Sequence, residues 1–100
     1  MHEDIIERIM DIYNEALEEL MGAQKYVKCA HNAATEKDRH MYADMAHEEL
    51  KHAAMLSKSG DNHIAEAEHG HGLHHVWKHL KGHLTDWAED LTRQIEKLRA

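Results

Sequence analysis

The sequence predicts an all-α protein: a two-helix antiparallel hairpin, then a C-terminal amphipathic helix, with hairpins from two copies pairing into a four-helix bundle. Apolar residues recur at alternating steps of four and three in long segments, the spacing that lines one side of a helix packed against others. Composition agrees, with no Pro, five Gly, no Phe, almost no Val and abundant Ala, Glu, Lys, Leu and Met, which favours helix over sheet. A chain of 100 residues makes one domain with a modest core, so self-association is the natural way to cover further apolar stripes.

The first helix is expected from Asp4 to Ala30, with Glu3 and Asp4 suited to its positive N-terminal dipole. Its seam reads Ile5, Ile9, Ile12, Ala16, Glu19, Ala23, Tyr26 and Ala30. Asn32 to Thr35 forms the turn, and Thr35 with Asp38 resembles a capping box that opens the second helix. That helix carries Tyr42, Met45, Glu49, His52 and Leu56 in one row and is expected to end near Ser57, before Gly60. Residues 59–72 break the periodicity and read as a His- and Gly-rich linker. Leu73, Trp77, Leu80, Leu84, Trp87, Leu91 and Leu98 then line a third helix, which Gly82, Thr85 and Asp86 would kink or restart. The chain so divides into a metal-binding hairpin (1–58), the linker (59–72) and an assembly helix (73–100).

Three polar residues stand in rows that otherwise call for apolar ones: Glu19 on the first helix, and Glu49 with His52 on the second. A buried carboxylate needs a partner, and neither seam supplies Lys or Arg. A metal ion would provide the missing charge. Glu oxygen and His nitrogen at i, i+3 spacing are ligands of di-iron and di-manganese carboxylate sites, in which two helices each give a Glu and two others each give Glu-x-x-His. This chain holds half of that set, so a C2 dimer would close it, with the metal on the two-fold axis. Two copies of Glu19 and Glu49 supply four negative charges, matching two divalent cations. Glu-x-x-His also recurs at Glu66 to His69 and Glu68 to His71, but beside Gly70 and Gly72 and off any sustained apolar seam.

The run Glu19, Ala23, Tyr26, followed by Glu49-Leu50-Lys51-His52-Ala53-Ala54-Met55-Leu56, resembles the ferritin-like superfamily over about residues 10 to 58. It is most similar to encapsulated ferritins, two-helix half-ferritins related to the rubrerythrin-like di-iron proteins. The resemblance implies a ferritin-like bundle and oxidation of ferrous to ferric iron at a di-iron centre formed between subunits, for iron storage or detoxification. It implies Glu19, Glu49 and His52 as ligands and Tyr26 as a hydrogen bonder to a ligand oxygen. It also implies a homodimer or higher oligomer inside an encapsulin shell. Encapsulated relatives carry a short C-terminal docking tag, whereas Gln94 to Ala100 reads as helix. Glu18 suits the acidic metal route of that family, and Met21 stands where a second acid is expected.

Cys29 has no Cys-x-x-Cys partner, which excludes a rubredoxin-type iron centre and an internal disulfide. A net charge of −7 without a basic stripe argues against nucleic acid, and no apolar run is long enough for a membrane. The start Met1-His2-Glu3-Asp4 lacks a secretory pattern, so a cytoplasmic location is expected, or one within an encapsulin nanocompartment. Seven of the twelve histidines fall between His63 and His83. His71, His75, His79 and His83 recur every four residues, a ladder able to hold a secondary zinc, nickel, copper or ferrous ion. Two other functions fit the same residues: metal buffering by that ladder, or a structural oligomer whose seam polar groups fix register. Iron and manganese are both compatible with the carboxylate site.

Overall fold

The computed structural model describes residues 2–67 and 71–100. Side chains are described from Asp4 to Ala67 and from Gly72 to Ala100. Three helices follow in order: α1 (His2–His31), α2 (Glu36–Glu66) and α3 (His71–Arg99); no strand occurs among the described residues. They form an elongated all-helical bundle of 53 × 18 × 15 Å. No helix is long and apolar enough to cross a membrane.

The turn that reverses α1 into α2 is closed by Thr35, whose side chain accepts a hydrogen bond from the Asp38 amide at 3.1 Å. This satisfies one of the free N–H groups at the helix start, while Glu36 and Asp38 complement its dipole. α1 and α2 then run antiparallel. Arg8, near the start of α1, reaches His63, near the end of α2, and Tyr26 stacks on Tyr42 near the turn. α3 reverses again: Trp77 meets Asp61, and at its far end Arg39 donates to the Leu98 carbonyl while Arg99 pairs with Asp44.

α1 buries Ile9, Ile12, Ala16, Leu20, Ala23, Val27 and Ala30, and α2 buries Ala43, Ala46, Ala53, Gly60 and Ile64. The small residues of α2 let the antiparallel helices approach closely. The predicted α1 seam holds at Ile9, Ile12, Ala16, Ala23 and Ala30 and slips by one position at Glu19 and Tyr26, whereas the predicted α2 row is displaced throughout. Leu20 and Val27 fill the core, and Glu19 and Tyr26 sit at its edge, half-buried. On α2 the row Tyr42, Met45, Glu49, His52 and Leu56 likewise flanks the buried row rather than forming it.

Two further expectations are corrected. α2 does not stop near Ser57; it continues through Gly60 to Glu66, so the described part of the expected linker is mostly helix. The reason is tertiary. Gly60 lies under the Trp77 indole, where a Cβ would collide with the ring carbons Cε2, Cζ2 and Cη2. Nor does Gly82 restart α3, which is one helix from His71 to Arg99, with Trp77, Leu84, Leu91, Ile95 and Leu98 buried against the hairpin.

Asp61 ties α2 to α3, accepting from Trp77 Nε1 at 2.8 Å and from Lys81 Nζ at 2.7 Å. Burial pushes the Asp61 carboxyl up. The hydrogen bonds from Lys81 and Trp77, with the charges of Lys81 and His74, outweigh that and hold it below its ordinary value of 3.8. A depressed folded pKa stabilises above the unfolded pKa and is lost as pH falls through the folded one. Acid titration followed by tryptophan fluorescence is therefore expected to loosen α3 below about pH 4. Asp61→Asn should flatten that acid limb at a neutral-pH loss of about 1 kcal/mol or less, because the pair is half-exposed. An unchanged acid limb would mean that this pair does not dock α3.

Candidate metal centre

Glu19 stands midway along α1, and Glu49 and His52 stand opposite it on α2. Each of the three residues lies on the hairpin flank that α3 leaves uncovered, since α3 meets α2 along Leu50, Ala53, Ala54, Ser57 and Asp61. Glu49 and His52 are one turn apart and project to one side. The antiparallel crossing brings Glu19 between them. One ligand atom from each of the three lies within 4.8 Å of the others. His52 Nδ1 is 3.4 Å from Glu19 Oε2.

In a single chain these residues line an open flank and not a closed interior. The Glu19 side chain is 29% exposed and that of His52 51%. A hairpin has one neighbour on each side of its contact row, α3 covers one flank, and the ligand row lies on the other. Met45, Leu56, Tyr26 and Tyr42 share that open flank, partly buried or exposed.

Gly22 supplies a feature that sequence spacing alone left open. A Cβ there would lie 3.0 Å from Glu49 Oε2 and 3.5 Å from its Cδ. The missing side chain is the space the Glu49 carboxyl occupies, one turn along α1 from Glu19. The sequence signal was a glycine at i+3 from a seam carboxylate.

The ion pairs of the described residues give neither Glu19 nor Glu49 a Lys or Arg partner. The Glu49 carboxyl is instead held above its ordinary value of 4.5, chiefly by a proton it can share with Glu19, then by burial and the Glu19 charge, with His52 opposing. Two facing carboxyls beside an imidazole, without a Lys or Arg to balance them, are a donor set compatible with a metal ion.

Tyr26 lies on the same flank but stacks on Tyr42, ring centres 6.4 Å apart and planes at 22°. Its hydroxyl makes no hydrogen bond to the three ligands among the described residues. His75, His79 and His83 are exposed along α3, away from the hairpin ligands. The side chain of His71 lies outside the described residues, as do those of Glu68 and His69, so both other Glu-x-x-His spacings end there. Among the described residues, Glu19, Glu49 and His52 are the group whose three ligand atoms converge. No family model, no characterised protein and no solved structure matches this chain.

Proposed function

We propose that the protein is a ferroxidase of the encapsulated-ferritin type, with ferrous iron as substrate and a working centre formed between two copies of the chain. The observation that carries this reading is the convergence of Glu19, Glu49 and His52 within 4.8 Å on the uncovered flank of the hairpin. A two-fold axis over that flank doubles the set to four carboxylates and two imidazoles, the donor inventory of a di-metal carboxylate centre. It would also cover the apolar residues beside the ligands. The room left by Gly22 for the Glu49 carboxyl supports the same reading. Oxygen and nitrogen donors suit iron and manganese alike; the resemblance of the Glu19 to Leu56 run to encapsulated ferritins favours iron.

In this account Glu19 and Glu49 hold the ions and balance their charge, which grows by one on each as ferrous becomes ferric. Two electrons leave two ferrous ions and, with two protons, reduce one dioxygen to hydrogen peroxide. His52, neutral, gives the nitrogen donor that fixes geometry. Tyr26 stands on the same flank, where the resemblance to encapsulated ferritins implies a hydrogen bond to a ligand oxygen. Protons compete with iron for the Glu49 carboxyl, which is held above its ordinary value, so affinity falls with falling pH.

Anaerobic ferrous titration followed by air tests this, with iron per chain, oxidation rate and assembly size recorded for wild type, Glu49→Ala and His75→Ala/His79→Ala. About one iron per chain is expected. Glu49→Ala should lower affinity by more than about 100-fold, beyond the loss typical of an outer-shell partner. Chelator should shift the assembly toward smaller species, because ligands drawn from two chains bind only in the dimer. Uptake lost in the histidine variant alone would replace this reading with metal buffering by α3.

A further inference from the structure

On α3, His75, His79 and His83 stand apart from the apolar row. Trp77, Leu84 and Leu91 are buried against the hairpin, whereas His75, His79, His83 and Asp86 are all exposed on the opposite face. His79 and His83, one helical turn apart, have ring centres 4.9 Å apart in an edge-to-face arrangement. With Asp86, Lys78 and Gly82 they line one shallow, solvent-open depression on the outer face of α3. A Cβ at Gly82 would meet nothing within 4 Å, so the space beside the rings is free. Among the described residues none of His79, His83 and Asp86 takes part in a hydrogen bond or ion pair between side chains.

We propose that His79 and His83, with Asp86 as a third donor, form a second metal site that takes a borderline dication, zinc, nickel or cupric copper, rather than iron. Metal–nitrogen bonds of about 2.0–2.1 Å require the two ring nitrogens to approach to about 3 Å. Imidazoles whose centres are already 4.9 Å apart reach that separation by rotating about Cβ–Cγ, with no change in the helix. Asp86 follows His83 at i+3 and lies on the same face, so its carboxylate can complete a three-donor set, water filling the remaining position.

The two sites differ in chemistry as well as place. The hairpin group offers two carboxylates and one imidazole, an anionic set that suits hard ferrous or manganous ions. The α3 groove offers two imidazoles and one carboxylate, so an ion is held by nitrogen donation more than by net charge. Nitrogen donation rises along the first-row series from manganese and iron toward nickel and copper, with zinc also above iron. Borderline ions are thereby drawn to α3, and competition for the hairpin carboxylates is reduced. The site stands on α3 residues alone and does not depend on the ferroxidase reading.

The test uses the full chain, stripped with chelator and desalted, titrated with zinc against a colorimetric zinc indicator. Four forms are compared: wild type, Glu49→Gln, His79→Gln/His83→Gln, and the triple combination, each checked for helix content by circular dichroism. Glu49→Gln is expected to retain about one zinc per chain, and adding the two histidine changes should weaken that zinc at least tenfold. Asp86→Asn in the Glu49→Gln background should weaken it several-fold. Nickel should broaden the His79 and His83 imidazole signals in an NMR titration before those of His52. Zinc affinity unchanged between Glu49→Gln and the triple variant would overturn the proposal, as would nickel broadening His52 first. Ferrous oxidation should be unchanged in His79→Gln/His83→Gln, so failure of this site and failure of the ferroxidase reading are separate results.

Discussion

Trp77→Ala is expected to lower stability by about 3–5 kcal/mol, the range for truncating a buried aromatic side chain, and to release α3 from the hairpin. Trp77 is only 3% exposed, and its indole occupies the space above Gly60 that no other residue of α2 would leave open. Its Nε1 also donates to Asp61, so truncation leaves the apolar gap and removes one of the two donors that hold the Asp61 carboxylate. A domain of this size has about 5–15 kcal/mol in total, so the loss is a large fraction of the whole. Trp77→Phe keeps most of the apolar contact and removes the hydrogen bond, so a smaller loss of about 1–2 kcal/mol is expected. Urea denaturation of the three proteins at one concentration gives the midpoints. A Trp77→Ala midpoint equal to wild type would show that α3 is held by its C-terminal half, through Leu91, Ile95 and Leu98.

The same contact shows where sequence reasoning reached its limit. Gly60 was expected to lie beyond the end of α2 because glycine weakens a helix by about 1 kcal/mol relative to alanine. Burial of Trp77 overrides that propensity. The signal was present in the spacing, since Ala46, Ala53 and Gly60 put small residues every seven positions on one face of α2. On α1, Ile9, Ile12, Ala16, Ala23 and Ala30 were legible as core from their steps of three and four, and they are buried. The choice between Glu19 and Leu20, or Tyr26 and Val27, was not legible. Adjacent rows both fit a stripe about 100° wide, and only the side on which α3 docks decides which row is covered. On α3 the apolar row from Leu73 to Leu98 was readable because one face is charged throughout. The convergence of Glu19 with Glu49 and His52 was readable for a related reason: they are polar exceptions in apolar rows, and antiparallel pairing of two helices of similar length brings their middles together. The pairing with a second copy proposed for the open flank is not specified by the spacing within one chain.

Gly22→Ala separates the proposed metal centre from the fold, because the two should move in opposite directions. Replacing a mid-helix glycine by alanine stabilises the helix by about 0.5–1 kcal/mol. Here the new Cβ would stand 3.0 Å from Glu49 Oε2, 3.5 Å from its Cδ and 3.7 Å from its Cγ, tighter than ordinary contact. The group that must yield is the end of a flexible, half-exposed side chain, so the fold absorbs the change by turning the Glu49 carboxyl aside. The melting temperature should therefore rise, by about 4–8 °C for each kcal/mol gained in a domain of this size. Ferrous oxidation should fall by about ten- to 100-fold, since a ligand oxygen displaced by an ångström no longer meets the geometry the reaction requires. Gly22→Ser, with a larger side chain at the same place, should lower oxidation at least as far while gaining less stability. Thermal melts and single-turnover oxidation on the same preparations decide the matter. A more stable Gly22→Ala protein that oxidises iron at the wild-type rate would mean that the Glu49 carboxyl does not work from the position it holds beside α1. A less stable one would mean that Gly22 serves close helix packing instead of the ligand.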